Sequence, residues 1–238
     1  MSFVIVVYVP EGIVMASDSR QSVTIGRQTP EGEKLPPIQT VASDFTYKTF
    51  LLERQAVGIS VYGDALLGGV QMESHINRFE EESLSSGDSV DRVVDKLMSY
   101  FKEKFAQANT GFHVAGFKKE ARISTPHVYI CHIRKNERNR VNFDINANRV
   151  LYGCSWGGEG DIMAAILKPA PAPRFPVVYQ GMNLQDAIDF AIYAVRTTID
   201  TMRFQVRPKD VGGPIDVLLL TPEEARWIQR KELQGERK

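Results

Sequence analysis

Ser2, the second residue of the chain, combines a hydroxyl with a position where a free α-amine can arise. Methionine aminopeptidase usually removes an initial methionine when the next residue is as small as serine, so Met1 is expected to be lost. The freed amine would have a pKa of about 7.7–8.0 and could accept the hydroxyl proton near neutral pH. An N-terminal serine is thus a nucleophile that carries its own base.

The remaining residues do not have the spacing of a metal or cofactor site. His127 and His132 lie five positions apart in or beside one predicted strand, so their side chains point to opposite faces. We expect packing or surface roles for these two residues and for His75 and His113. The glycines of 153–160 precede a predicted helix, but no Lys-Ser or Lys-Thr follows them, which argues against nucleotide binding. Neither a metal nor a cofactor is expected.

The composition favours one ordinary globular domain over residues 1–238. Hydrophobic residues make up 43% of the chain and charged residues 24%, as is usual for a packed domain. Lys and Arg number 29, as do Asp and Glu, so the zero net charge does not indicate nucleic-acid binding. Apolar runs fall short of the ~20 residues of a membrane span, and no basic segment marks a signal peptide.

The cysteines indicate a reducing compartment. Cys131 and Cys154 are the two cysteines of the chain, and each lies in an apolar stretch. Two lone thiols fit the cytoplasm better than a disulfide framework. We therefore expect a cytoplasmic protein that does not bind membranes, and its neutral charge favours association into an assembly.

Residue patterning predicts strands and helices in blocks. Runs of apolar and β-branched residues indicate strands, and apolar residues three and four positions apart indicate helices. The predicted strands cover 3–9, 13–17, 48–53, 56–62, 111–117, 127–133, 141–145, 149–152 and 215–220. The predicted helices cover 64–82, 90–105, 159–167, a segment from 184 that Asn183 caps, and the charged tail 223–238.

Two segments lack either pattern. The composition of residues 25–40 predicts a polar loop, because the segment contains glycines and prolines, including the pair Pro36-Pro37. Residues 169–176 are rich in proline and should end the preceding helix. Because strands and helices are grouped rather than alternating, an α+β arrangement is favoured over a parallel sheet.

Several segments, taken in order, resemble the proteasome β subunits and their bacterial ATP-dependent relatives. Segment 12–20 (GIVMASDSR) resembles the strand that leads to an Asp-x-Arg motif near the start of those chains. Segments 63–65 (GDA), 153–158 (GCSWGG) and 212–217 (GGPIDV) resemble later landmarks. The resemblance spans nearly the whole chain. It implies a four-layer αββα sandwich of two antiparallel sheets flanked by helix pairs, the N-terminal nucleophile hydrolase fold.

The resemblance also implies a set of catalytic residues. Counting back from Asp18 places Ser2 where the family has its nucleophilic threonine. The family adds a lysine that lowers the pKa of the hydroxyl, and Asp18 would hold that lysine. Lys48 is chosen because a strand follows it, whereas the rival Lys34 lies within the predicted loop. The interval from Asp18 to Lys48 is about twice that of the family, and loop 25–40 accommodates the extra length as an insertion.

Further positions follow from the resemblance alone. The family uses a backbone N–H before its first helix as an oxyanion donor, and Ser60 is the candidate here. Ser155 is the candidate for a hydroxyl that joins the nucleophile, with Cys154 equally possible. The family's late Asp and Ser, which tune the terminal amine, have no match in segment 207–211 (RPKDV); Asp210 or Asp200 could substitute.

The implied function is hydrolysis of peptide or amide bonds by Ser2, as a serine member of a threonine-type peptidase family. The resemblance implies a homo-oligomeric ring with peptide or protein substrates, and an ATP-dependent unfoldase as a possible partner. Two alternatives stay open. The missing late Asp and Ser suit a catalytically silent structural subunit, and the insertion at 25–40 suits an amidase or transpeptidase with one specific small substrate.

Overall fold

The computed structural model describes residues 2–120, 123–167, 176–233 and 235. Its helices are α1 (Met72–Ser83), α2 (Val90–Phe105), α3 (Asp161–Leu167) and α4 (Leu184–Phe204), with a 3-10 turn at Tyr179–Gly181. Its strands, in chain order, are β1 (Phe3–Val9), β2 (Gly12–Ser17), β3 (Gln21–Gln28), β4 (Lys34–Ser43), β5 (Thr49–Leu52), β6 (Val57–Gly63), β7 (Leu66–Leu67), β8 (Val70–Gln71), β9 (Thr110–Glu120), β10 (Ile123–His132), β11 (Glu137–Arg140), β12 (Phe143–Asp144), β13 (Arg149–Val150), β14 (Gly153–Gly158), β15 (Asp216–Leu220) and β16 (Ala225–Gln229).

Two five-stranded antiparallel sheets form the centre of this mixed α/β fold. The first has the order β14-β1-β2-β15-β16 and the second the order β11-β10-β9-β6-β5. Helices α3 and α4 share an apolar cluster with the first sheet, and α1 and α2 share another with the second. None of the described helices is long and apolar enough to cross a membrane.

Strand β1 is buried along its whole length because both of its faces are covered. Phe3 and Ile5 pack in the cluster that contains Ala191 of α4. Val6 and Tyr8, on the opposite face, pack in a cluster that also contains residues of the second sheet. An uninterrupted apolar run is what a strand buried on both faces requires. The predicted strands 3–9 and 13–17 are confirmed as β1 and β2, which pair as a hairpin from Val4 to Val9.

Helix α4 begins where its sequence predicts. The Asn183 side chain accepts a hydrogen bond from the Asp186 N–H, and the Asp186 side chain accepts one from the Asn183 N–H. This capping box satisfies two backbone donors that a helix start leaves unpaired. The predicted helix over 90–105 is also confirmed, as α2.

The predicted helix over 64–82 is wrong in its first part. Helix α1 begins at Met72, and the short strands β7 and β8 precede it. Gly68 and Gly69 connect these strands with φ of 58° and 79°. This left-handed backbone forms a tight hairpin turn and cannot continue a right-handed helix.

Three further predictions about irregular or terminal segments need correction. The predicted loop 25–40 lies within a hairpin of β3 and β4, whose side chains are mostly exposed. Segment 153–158, which lies between the predicted strand 149–152 and the predicted helix 159–167 and has no predicted strand of its own, is strand β14 and pairs with β1. The tail 223–238, predicted as a helix, contains strand β16, which pairs with β15. The proline-rich segment 169–176 lies outside the described residues except for residue 176.

His113 bridges the two sheets. It lies in β9, and its Nε2 is 2.9 Å from the Ser155 hydroxyl in β14. Its Nδ1 is buried and has no hydrogen-bond partner within the described ranges. Burial lowers the pKa of His113 to about 4, because an imidazolium at this position would lose its hydration.

This buried imidazole predicts a loss of stability in mild acid. Between pH of about 6.5 and about 4 the unfolded chain binds a proton at position 113 that the folded protein does not. The free energy of unfolding should therefore fall as the pH decreases through this range, by up to about 3 kcal/mol. Urea unfolding of wild type and His113→Gln across this range measures the effect. An equal pH dependence in both proteins would contradict it.

Candidate active site

The Asp18 carboxylate is the centre of a buried polar cluster at the end of β2. One oxygen accepts hydrogen bonds from the Phe3 N–H at 2.9 Å and from the Lys48 ammonium at 2.7 Å. The other accepts from the Arg20 N–H at 3.1 Å and the Gly212 N–H at 3.0 Å. The Asp18 side chain is fully buried. A buried carboxylate needs such donors because it has lost its hydration.

Lys48 is held by its backbone as well as by its side chain. It directly precedes β5, and its carbonyl accepts a hydrogen bond from the Val61 N–H of β6 at 2.8 Å. Its side chain is 5% exposed. Burial lowers the pKa of the Lys48 ammonium, and the Asp18 carboxylate acts in the opposite direction. The structure thus brings together Lys48 and Asp18, which the sequence paired across 30 positions.

Ser2 is fixed through its backbone at the start of β1. Its carbonyl accepts a hydrogen bond from the Glu159 N–H at 2.8 Å. Gly158 approaches the same carbonyl so closely that a Cβ there would lie 1.8 Å from the oxygen, and its φ is 86°. The next N–H of the chain, that of Phe3, donates to Asp18. Ser2 is therefore held between the end of β14 and the Asp18 cluster.

Two cavities flank Ser2. The larger has a volume of ≈ 240 Å³ and is lined by Ser2, Tyr62, Gly63, Asn109, His132, Gly158 and Glu159. The smaller has a volume of ≈ 20 Å³ and is lined by Ser2, Thr46, Tyr47, Lys48, Val61, Tyr62, Gly63, Asp64, Ala65 and Met72. Ser2, Tyr62 and Gly63 line both cavities and therefore lie between them.

Ser60 and Ser155 are not brought to these cavities. Ser60 lies within β6, and its hydroxyl is 2.9 Å from that of Thr49. Ser155 faces the second sheet, where its hydroxyl meets His113. The Cys154 thiol, the stated alternative, lies 3.0 Å from the Tyr179 hydroxyl. The residues of β6 and β14 that border Ser2 are those at the ends of both strands, two or three positions further along.

Asp210 and Asp200, the candidates for the late aspartate, and Lys34, the alternative to Lys48, lie in different surroundings. Asp210 is buried and accepts a hydrogen bond from the Gln39 amide of β4 at 2.6 Å. It contributes to the electrostatic environment of Lys48. Asp200 is exposed on α4, and Lys34 is exposed at the start of β4. Of the two aspartates, Asp210 is therefore the one that belongs to the cluster around Lys48.

A second buried ion pair lies behind the first. The Lys231 ammonium contacts the Asp216 carboxylate, and the Lys231 N–H donates to the same carboxylate at 2.8 Å. The ammonium also lies 4.1 Å from the centroid of the Tyr47 ring. Tyr47 directly precedes Lys48 in the chain. The Tyr47 hydroxyl donates to the Lys231 carbonyl at 3.3 Å. The chain after β16 thereby supports the segment that carries Lys48.

Sequence reasoning missed the residues that shape the site through their backbone. Gly63, with φ of 99°, ends β6 and lines both cavities. Gly158 and Glu159 hold the Ser2 carbonyl. The available sequence signal was a glycine directly before a charged residue at the end of each strand: Gly63-Asp64 at the end of β6 and Gly158-Glu159 at the end of β14. Among the described residues, no group of three or more His, Cys, Asp or Glu side chains is placed to hold a metal ion.

Comparison with known proteins supports the fold. No family model matches the chain, and no curated protein is significantly similar to it. Among solved structures, the chain is similar to the "Anbu (Gly-1) mutant from Hyphomicrobium sp. strain MC1", with a TM-score of 0.61 and 15% sequence identity. The similarity covers 97% of this chain and 86% of that chain. At this identity the similarity shows that the two chains share a fold, and nothing more.

The second ion pair predicts a large effect of Lys231 on stability. Lys231→Met should lower the free energy of unfolding by about 3–5 kcal/mol, because it leaves the Asp216 carboxylate buried without its cation. The exposed pair of Arg226 and Glu224 provides the control, since Arg226→Ala should change stability by less than about 1 kcal/mol.

Urea unfolding of both variants measures the difference. The double variant Asp216→Asn with Lys231→Met should lose less stability than the two single variants together, because it leaves no unpaired charge. A loss for Lys231→Met no larger than that for Arg226→Ala would contradict the interpretation.

Proposed function

We propose that this protein is a proteasome-like N-terminal nucleophile hydrolase that cleaves peptide or amide bonds through Ser2. The observation that carries the proposal is the Asp18 carboxylate, which binds both the Lys48 ammonium and the N–H that follows Ser2. One buried anion thus fixes a cation and the N-terminal residue beside a shared cavity. We further propose that the two sheets and their helices form the four-layer αββα sandwich of this class of hydrolase.

In the proposed reaction the Ser2 Oγ attacks the carbonyl carbon of the amide. The hydroxyl proton passes to the free α-amine of Ser2, and the carbonyl π electrons move to the oxygen. The C–N bond then breaks as the carbonyl reforms, and the ammonium gives its proton to the leaving nitrogen. Water adds to the resulting ester with the amine as base, which releases the acid and restores the Ser2 hydroxyl.

Lys48 would act on the nucleophile as a positive charge. Lys48 and Ser2 line the same cavity, and a nearby cation favours the alkoxide and lowers the pKa of the hydroxyl. Asp18 keeps the lysine in place through the 2.7 Å hydrogen bond. In this proposal Asp18 is a positioning residue, Lys48 acts on the Ser2 hydroxyl, and Ser2 attacks the substrate.

The Gly63 N–H is the proposed oxyanion donor, in place of that of Ser60. Backbone N–H groups alternate between the two edges of a strand. The Val61 N–H donates to Lys48 at one edge of β6, and the Asp64 N–H donates to Asn109 at the other. By this alternation the Gly63 N–H lies on the Lys48 edge, at a residue that lines both cavities. A backbone donor aimed at the developing charge stabilises the transition state.

Two features favour the alternative functions. Segment 207–211 contains no serine, and this absence of the late hydroxyl suits a catalytically silent structural subunit. The β3–β4 hairpin contacts Asp210 through Gln39, which suits an amidase or transpeptidase with one specific small substrate. A homo-oligomeric ring, an ATP-dependent unfoldase and a cytoplasmic location remain proposals that rest on the family resemblance and on the two free cysteines.

Intact mass before and after reaction with a β-lactone probe tests the proposal. Wild type should lack Met1 and gain one adduct at residue 2, and Ser2→Thr should do the same because it keeps the hydroxyl. Ser2→Ala should gain none. Lys48→Met should react at least about 100-fold more slowly, whereas the control Lys34→Met on the exposed hairpin should react like wild type.

Retention of Met1 in the cell-made protein would refute the hydrolase proposal and favour the silent subunit. The same holds if Ser2→Ala is labelled as fast as wild type. The melting temperature of each variant establishes that a loss of labelling is not a loss of folding.

A further inference from the structure

Tyr62 lies between the two cavities that flank Ser2. It is the next-to-last residue of β6 and lines both cavities, together with Ser2 and Gly63. Of these three residues, Tyr62 has the largest side chain. The shape of the space beside the nucleophile therefore depends on where this ring lies.

The Tyr62 ring is held in place by two glycines, one from each sheet. A Cβ on Gly111, its partner across β6 and β9, would lie 2.3 Å from the ring. A Cβ on Gly157 of β14 would lie 2.4 Å from the ring. The His113 ring packs at a centroid distance of 5.6 Å. Both glycines thus leave space that the ring fills, and larger residues at either position would displace it.

The phenol stays neutral in this position. Burial raises the pKa of Tyr62 to about 12, so at neutral pH the residue presents an uncharged ring to both cavities. Its contribution to the two cavities at neutral pH is therefore one of size and shape rather than of charge.

The two cavities differ in size and in chemistry. The smaller, at ≈ 20 Å³, has little more space than one water molecule requires. Apart from the Lys48 side, its walls include the apolar side chains of Val61, Ala65 and Met72. The larger, at ≈ 240 Å³, is bordered by the polar side chains of Asn109, His132 and Glu159. The smaller cavity therefore suits a very small apolar group, whereas the larger has room for a longer part of a substrate.

We infer that Tyr62 is the residue that determines substrate specificity: its ring limits the acyl side chain to alanine size or smaller. The carbon that Ser2 attacks carries this side chain into the smaller cavity, and the rest of the substrate occupies the larger cavity. The substrate class is therefore amides of glycine-like or alanine-like acyl groups. This inference rests on the proposed acyl transfer to Ser2.

A panel of acylating probes tests the inference. The probes are peptide β-lactones that differ only in the acyl side chain, which is that of Gly, Ala, Val, Leu or Phe. The rate of adduct formation at residue 2 is measured by intact mass and peptide mapping. Wild type should react with the Ala probe at least about 10-fold faster than with the Leu probe, the scale of discrimination for such a size difference.

Variants at position 62 separate the ring from its hydroxyl. Tyr62→Ala should lower the Ala-to-Leu rate ratio at least about 10-fold, because it opens the smaller cavity. Tyr62→Phe should keep the ratio, because the ring remains. Tyr193→Ala, on the exposed face of α4, is the matched control and should keep all rates. If Tyr62→Ala does not fold, the shorter side chain in Tyr62→Leu should shift the ratio in the same direction.

Three results would overturn the inference while leaving the proposed function intact. The first is that wild type reacts equally fast with the Leu and Ala probes. The second is that the Ala-to-Leu rate ratio does not change in whichever of Tyr62→Ala and Tyr62→Leu folds. The third is that this ratio falls as far in Tyr62→Phe as in Tyr62→Ala. If no probe gives an adduct at residue 2 in any variant, the proposed function fails and the inference fails with it.

Discussion

The buried carboxylate of Asp18 is the constraint on which the rest of the site depends. A carboxylate removed from water destabilises the fold unless hydrogen bonds and a cation replace its hydration. Its four donors come from four places in the chain: the Phe3 N–H at the start of β1, the Arg20 N–H between β2 and β3, the Lys48 ammonium before β5 and the Gly212 N–H between α4 and β15. Folding the sheets and assembling the site are therefore one requirement, since each donor reaches Asp18 only when its strand is in register.

The second ion pair extends this constraint to the end of the chain. Asp216 of β15 lies opposite Ser17 of β2. Ser17 directly precedes Asp18 in the chain. Lys231 neutralises Asp216 and packs on Tyr47. Two aspartate–lysine pairs thus share the core near Ser2. The late chain supports the segment that carries Lys48, which the β3–β4 hairpin separates from Asp18 in sequence.

Local patterning predicted much of the fold because many elements carry strong local signals. The apolar run of β1, the apolar stripe of α2 and the Asn183 cap each fix an element by themselves. The tail was misjudged because its charged residues look solvated, whereas Lys231 is buried by a partner 15 positions away. The hairpin of β3 and β4 was missed because its glycines and prolines resemble those of a loop and because its side chains are mostly exposed, so that burial does not impose an apolar pattern on it.

The same distinction applies to the site. The family resemblance singled out Ser2, Asp18 and Lys48, and in the structure Lys48 contacts Asp18 and lines a cavity together with Ser2. Ser60 and Ser155 do not line the cavities beside Ser2, which are lined instead by residues one to three positions further along the same strands. Gly63 and Gly158 act through positive φ and close backbone approach, which residue patterns do not show.

The most direct test of the central claim is a crystal structure of the processed protein after reaction with a peptide epoxyketone. This probe reacts with a hydroxyl and an amine at once, so it reports whether nucleophile and base belong to the same residue. The structure predicts two covalent bonds, one to the Ser2 Oγ and one to its α-amine, with Lys48 still bound to Asp18. A probe attached to any other residue, or an unreacted Ser2 with Met1 in place before it, would contradict the account.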